Sequence, residues 1–271
     1  MTRQRIAIMA DIHGNPIALN AVLADIASHG GVEQYWLLGD YVALGFDPRG
    51  VLARLKELQG ASFIRGNTDR YVTEGHLPFP SLEEALEHPE LLHRHIRIAR
   101  SFAWTAGAVS AGNTRGKDDY LAWLSALPLE MRTVLPDGTR VLAVHAAPGE
   151  DDGDGLYPVM SAQEMEASVA SCEADLLLVG HTHVPFERQA GKVQVVNPGS
   201  VSNPMAPDLR ASYAIIDAKP SGYSLAFRRV DFDRQACIEA AKEVRQPSWK
   251  YIEQFMLGNR RPDWESKAKQ G

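Results

Sequence analysis

Short apolar runs that recur between helix-like stretches, each closing on a polar side chain, constrain this chain more than any other feature. Ile6-Ala7-Ile8-Met9 runs into Ala10-Asp11-Ile12-His13-Gly14-Asn15, and Ala18, Leu19, Val22, Leu23 and Ile26 follow at helical spacing. Tyr35-Trp36-Leu37-Leu38 closes on Gly39-Asp40, and Ala61-Ser62-Phe63-Ile64 runs on to Gly66-Asn67-Thr68-Asp69. Val141-Leu142-Ala143-Val144 closes on His145, and Leu176-Leu177-Leu178-Val179 on Gly180-His181-Thr182-His183. Apolar runs of this length read as buried strands, and in α/β folds the sites lie beyond the carboxyl ends of the strands. For Asp11-Ile12-His13 taken alone, metal ligation competes with a plain polar turn in which Asn15 caps a helix that has Pro16 at its first position.

Between these runs the chain is punctuated by ordinary signals. Asp47 and Pro48 open a helix whose apolar face is Val51, Leu52, Leu55 and Leu58. Residues 81–127 read as an amphipathic helical insertion or cap beside the sheet, broken at Pro89, with a further helix pair over 102–109 and 119–127. Strand-like sequence over 129–135 turns at Pro136-Asp137-Gly138 into the run that ends in His145. A helix is expected over 162–172, and the strand 193–196 ends in Asn197-Pro198-Gly199-Ser200. Residues 213–217 and 223–227 form a closing hairpin, and helix is expected through Leu257. The organisation expected is one domain over 1–258 and a polar, frayed tail over 259–271.

Composition narrows the function classes. The chain has 271 residues, 45% hydrophobic and 23% charged, and its net charge of −6 offers no basic stripe for a nucleic acid. Its two cysteines, Cys172 and Cys237, lie outside any metal-binding or redox spacing, so both are expected reduced, as in the cytoplasm. No run approaches the roughly 18 apolar residues of a membrane span.

The run ends together offer Asp11, His13, Asp40, Asn67, His145, His181 and His183, and four of the chain's nine histidines fall at these positions. Carboxylate, imidazole and amide oxygen suit Mn, Fe or Zn, and without a thiolate neither a structural zinc site nor an iron–sulfur cluster is expected. Seven ligands exceed the need of one ion and divide into two sets that share a carboxylate, the bridge that offsets repulsion between two cations about 3.5–4 Å apart. Two dications, two aspartates and a hydroxide leave a charge of about +1, which favours a phosphate ester over a neutral substrate. The remaining histidines, His29, His76, His88, His93 and His95, read as solvated or loop residues, His76 being the one nearest the cleft in sequence. Gly112-Asn113-Thr114-Arg115-Gly116-Lys117 is too short between its glycines for a phosphate-binding loop. Arg65, Arg70, Arg97 and Arg100 are candidates for a second phosphate contact, against a solvated face.

Asp11-Ile12-His13, Gly39-Asp40, Gly66-Asn67, His145 and Gly180-His181-Thr182-His183 resemble the five blocks of the calcineurin-like metallophosphoesterase superfamily. Asp11–Asn15 and Asn197–Ser200 look most like its small prokaryotic phosphodiesterase branch. The resemblance implies a four-layer α/β/β/α sandwich of two mixed sheets. It implies one divalent ion held by Asp11, His13, Asp40 and His183, and a second held by Asp40, Asn67, His145 and His181. Asp40, Asn67 and His145 would be the catalytic positions, with in-line attack by a hydroxide bridging the metals. Asn15, Thr68, Asp69 and Asn197 are expected to support the ligands or touch substrate.

Two departures from the pattern matter. Thr68 stands where many members have a histidine as general acid, and a threonine cannot donate a proton as imidazolium does. Diesters and good leaving groups are therefore expected. Gly39-Asp40 continues as Tyr41-Val42-Ala43-Leu44 rather than into the Asp-Arg-Gly of the protein phosphatases, which argues against a phosphoprotein. The expected partner is a small phosphate ester, with neither membrane nor nucleic acid. The alternatives are a phosphomonoesterase, a dinucleoside polyphosphate hydrolase, or a non-catalytic interaction scaffold of the same fold.

Overall fold

The computed structural model describes residues 3–111, 119–262 and Trp264. The glycine-bounded segment 112–117 and most of the tail from residue 263 onward lie outside the described residues. One sheet contains β1 (Gln4–Met9), β2 (Gln34–Leu37) and β3 (Ala61–Phe63), parallel to one another. The other contains β4 (Glu130–Val134), β5 (Arg140–Val144), β6 (Leu176–Leu178), β7 (Phe186–Ala190) and β8 (Val193–Asn197). The hairpin β9 (Ala211–Lys219) and β10 (Gly222–Val230) completes the first sheet by pairing antiparallel to β1, giving the order β10-β9-β1-β2-β3. In the second, ordered β4-β5-β6-β8-β7, the strands β5, β6 and β8 are parallel and the two edges antiparallel. Each sheet thus points three carboxyl ends the same way.

Period-two alternation assigns every strand residue to a layer. Ile6, Ile8, Ala10, Trp36 and Leu38 meet Val141, Ala143, Leu176, Leu178 and Val196 between the two sheets. Ala7, Met9 and Leu37 face the other way, onto helix α1 (Pro16–Ser28) through Leu19 and Val22 and onto α2 (Pro48–Lys56) through Val51 and Leu52. The short α3 (Asn67–Glu74) follows β3 directly. Next come α4 (Leu82–Glu87), α5 (Leu92–Ser110) and α6 (Tyr120–Ser125), which add Phe102, Val109, Tyr120 and Leu124 to the same core. On the far face α7 (Ala162–Val169) covers Leu142, Val144, Leu177 and Val179 with Met165 and Val169. The result is the four-layer α/β/β/α sandwich. The C-terminal pair α8 (Arg234–Glu243) and α9 (Trp249–Met256) buries Cys237, Ile238, Ile252 and Phe255 against Phe46.

The helix starts obey their caps. Asn15 Oδ1 accepts from Ala18 N at 3.1 Å and Asp47 Oδ1 from Gly50 N at 2.8 Å. Ser81 with Glu84, and Ser161 with Glu164, close reciprocal boxes. Several boundaries differ from the sequence expectation. The expected break before Phe102 is absent, because α5 runs unbroken from Leu92 to Ser110 with no Pro in that span. The helix that opens at Ala162 ends at Val169, three residues early. The edge strand β7 and the helix α3 were not foreseen. Both cysteines are free and buried, and among the described residues no helix is long and apolar enough to cross a membrane.

Candidate metal centre

Asp11 and His13 follow β1, Asp40 follows β2 and Asn67 opens α3 after β3, while His145 follows β5 and His181 and His183 follow β6. The loops after β1 and β2 are bonded rung by rung: Asp11 N donates to Gly39 O, Ile12 N and His13 N to Asp40 O, and Gly14 N to Tyr41 O. Of the eight non-glycine residues with positive φ among the described residues, five are Asp11, His13, Asp40, His181 and His183. Left-handed backbone is costly outside glycine and gathers where a site is held against local preference. At Asp11, His13 and Asp40 the ladder between the two loops fixes it.

Glycine is required where these loops touch. A Cβ on Gly66 would lie 2.2 Å from Asp40 Oδ1 and 2.3 Å from Asp40 N. At Gly39, whose φ is +94°, it would lie 2.5 Å from Gly66 N.

The seven side chains converge as two groups. In the first, His13 Nε2 and His183 Nε2 are 3.1 Å apart, Asp11 Oδ1 is 3.5 Å from His183 Nε2, and Asp40 Oδ2 is 3.7 Å from His13 Nε2. In the second, Asn67 Oδ1 is 3.1 Å from His145 Nε2 and 3.2 Å from His181 Nδ1, and Asp40 Oδ1 is 3.4 Å from His145 Nε2. Asp40 therefore turns one oxygen to each group. Asp11 also reaches the second, its Oδ1 lying 4.0 Å from His145 Nε2.

Each imidazole is oriented by its other nitrogen. His13 Nδ1 donates to Ala43 O (3.1 Å), His183 Nδ1 to Asn203 O (2.8 Å), His145 Nδ1 to Leu38 O (2.6 Å) and His181 Nε2 to Gly153 O (2.8 Å). A carbonyl only accepts, so these nitrogens carry hydrogens and the opposite ring nitrogens face the cluster. Burial holds His13 below its usual range and His183 well below it, so the two neutral lone pairs meet with no hydrogen between them. Asp11 Oδ2 is buried with no partner. The facing lone pairs of His13 and His183 beside the unpartnered Asp11 Oδ2 fit a divalent cation, and ligand atoms of Asp11, His13 and His183 and of Asp11, Asp40 and His145 lie within 4.8 Å of one another.

Charges inside the cluster are strongly displaced. Burial, with the charge of Asp40 adding to it, lifts Asp11 well above the carboxylate range, against the pull of His145. For Asp40 burial is outweighed by the charge and hydrogen bond of His145 and by His13, so it stays ionised. Burial lowers His145, but Asp40 and Asp11 raise it to about 10.

Asp69 and Asn197 hold loops that carry ligand candidates. Asp69 accepts from Asp40 N (2.9 Å), Tyr41 N (2.9 Å) and Gly66 N (3.0 Å). Asn197 Nδ2 donates to Gly180 O (2.6 Å) and Thr182 Oγ1 (3.0 Å), bracing the loop of His181 and His183. Thr68 N donates to Asp40 Oδ1 at 2.9 Å, while its hydroxyl is buried without a partner. Asn15 is engaged elsewhere, capping α1 and touching Cys237 Sγ at 3.4 Å, so the helix-cap alternative accounts for it. Arg65 and Arg70 are both held by Asp151. His76 is exposed beside Glu74. The carbonyl anchors of the four imidazoles carry no side-chain signal and were not foreseen.

The calcineurin-like phosphoesterase superfamily domain matches residues 5–221 of this chain. An uncharacterised protein of Methanocaldococcus jannaschii is 29% identical over 265 residues, covering 92% of this chain and 96% of its own. The crystal structure of a metallophosphoesterase from Sphaerobacter thermophilus superposes with a TM-score of 0.71 at 24% identity, over 94% of this chain and 98% of that one. A hypothetical protein from Pyrococcus horikoshii OT3 gives a TM-score of 0.75 at 21% identity, over 93% and 97%.

Proposed function

We propose, since the chain belongs to the calcineurin-like phosphoesterase superfamily, that it is a metal-dependent phosphoesterase that uses two divalent ions and prefers phosphodiesters. The observation that supports two ions rather than one is the placement of Asp40, with Oδ2 toward His13 and Oδ1 toward His145. Asp11, His13, Asp40 and His183 would hold one ion, and Asp40, Asn67, His145 and His181 the other. Bound there, the ions would supply a nucleophile from water at neutral pH and neutralise charge on the phosphate.

The chain's own groups do the positioning. Leu38 O and Gly153 O fix the rings of His145 and His181 so that their lone pairs point at Asn67 Oδ1. Asn67 is neutral, which leaves the second group less anionic than an all-carboxylate set and suits an anionic substrate. Thr68 follows Asn67 and is no proton donor at neutral pH, so a leaving group must depart without side-chain protonation at that position. Aryl diesters and other esters with weakly basic leaving groups meet that condition best.

Hydrolysis of bis(p-nitrophenyl) phosphate with added Mn tests the reading. Asp40→Asn and His145→Ala are each expected to lower kcat at least about a hundredfold while the circular dichroism spectrum stays that of the parent. Undiminished turnover in either variant would remove the proposal. Comparison with p-nitrophenyl phosphate tests the diester preference, which an equal or higher kcat/KM on the monoester would overturn.

A further inference from the structure

A cavity of about 270 Å³ opens beside the metal centre, sharing Asn67 and Thr68 with it and walled on the other side by α5. Arg94, Arg97, Ile98, Ser101 and Phe102 all line it, and their spacing of three, four, seven and eight residues from Arg94 places them on one face of that helix. The floor is aromatic: Tyr71 and Phe102 are buried edge to face at 5.6 Å. The rim holds Phe79, which is 54% exposed, with the Arg94 guanidinium 5.3 Å from its ring centre. No carboxylate is among the described lining residues, and among the described residues neither Arg94 nor Arg97 has a carboxylate partner. Arg65 and Arg70 contrast with them, both being neutralised by Asp151. The cavity thus grades from the ligand cluster, over an aromatic floor, to two unneutralised guanidinium groups.

We propose that this cavity binds the organic half of the substrate, a phosphate ester bearing a flat ring and a second anionic group, with Arg94 and Arg97 selecting that group. The proposal rests on the phosphoesterase reading for the fate of the ester and on the cavity alone for its binding. A flat ring suits the floor because aromatic faces reward stacking and edge contact. A second phosphate or carboxylate suits the rim because guanidinium forks bind such groups bidentately, and an isolated arginine pair without acids gains most from an anion. The hydroxyl of Thr68, buried and unpartnered between the two regions, is an orphan polar group of the kind that marks a place for a ligand.

Three probes separate ring from anion: bis(p-nitrophenyl) phosphate, the p-nitrophenyl phosphodiester of thymidine, and the same thymidine ester phosphorylated on its other hydroxyl. With Mn bound, the phosphorylated ester is expected to exceed the unphosphorylated one in kcat/KM by about tenfold, mainly through KM. Arg94→Gln and Arg97→Gln should each reduce that ratio about fivefold or more toward one, and salt should reduce it too. Arg54→Gln, an exposed arginine on α2 paired with Glu57, should leave the ratio as it is. Calorimetric titration of the metal-free protein with thymidine bisphosphate gives a readout independent of turnover, with binding weakened about tenfold in either cavity variant. A ratio near one in the parent, or binding indifferent to both arginines, overturns the proposal. If no probe is hydrolysed while arginine-dependent binding persists, the phosphoesterase reading falls and the cavity assignment stands.

Discussion

Asp69 accepts three backbone N–H groups, from Asp40, Tyr41 and Gly66, and is fully buried. Burial and the nearby charge of Asp40 push its carboxyl up to about 7, and the amides of Gly66 and Tyr41 oppose the rise. It ties the loop after β2 to the start of α3, which places Asp40 and Asn67 relative to each other. An asparagine has one acceptor oxygen and would turn its NH2 toward an amide that needs an acceptor. Asp69→Asn is therefore expected to cost about 1–3 kcal/mol in urea denaturation and to lower metal content with it. A variant of unchanged stability and metal content would show that the three bonds are dispensable. The seven ligand candidates were legible in the sequence because each ends an apolar run, whereas the left-handed φ of five of them, Asp11, His13, Asp40, His181 and His183, was not. Local sequence shows which residue follows a strand but not the ladder from a neighbouring loop that turns it inward.

Strand ends and helix starts place the ligand candidates, and one loop joins the two halves of the candidate site. Asp151 accepts from Arg65 Nε at 2.8 Å and from Arg70 Nε and Nη2 at 3.0 and 2.9 Å, binding β3 and α3 to the segment that carries Gly153. Gly153 O in turn holds His181 Nε2. Asp151 is 5% exposed, so Asp151→Ala would leave two partly buried arginines without their counter-ion. The expected cost is roughly 2–4 kcal/mol in chemical denaturation, with loss of the ion bound through His181 before the ion bound through His183. Equal loss of both ions would contradict this coupling. The sequence offered Arg65 and Arg70 as phosphate contacts because their partners lie more than 80 positions away. Helix α3 escaped notice because polar residues open it, and β7 because only its two ends, Phe186 and Ala190, are buried.

Across the whole molecule, two sheets each deliver part of one centre. The first brings Asp11, His13, Asp40 and Asn67, the second His145, His181 and His183, and the core between the sheets fixes their spacing. Without a cation, burial disfavours the charge on His145 while Asp40 and Asp11 raise its pKa to about 10, so it holds a proton near neutrality. A cation must displace that proton, so metal uptake should release protons and affinity should rise with pH as proton competition weakens. Calorimetric titration with Mn in buffers of different ionisation enthalpy measures the release, and binding heats independent of buffer would contradict it.

Anomalous diffraction from crystals soaked in manganese tests the central claim most directly. Two manganese peaks are expected on either side of Asp40, one bound also by Asp11, His13 and His183, the other also by Asn67, His145 and His181. A single peak, or two peaks that do not share Asp40, would contradict it.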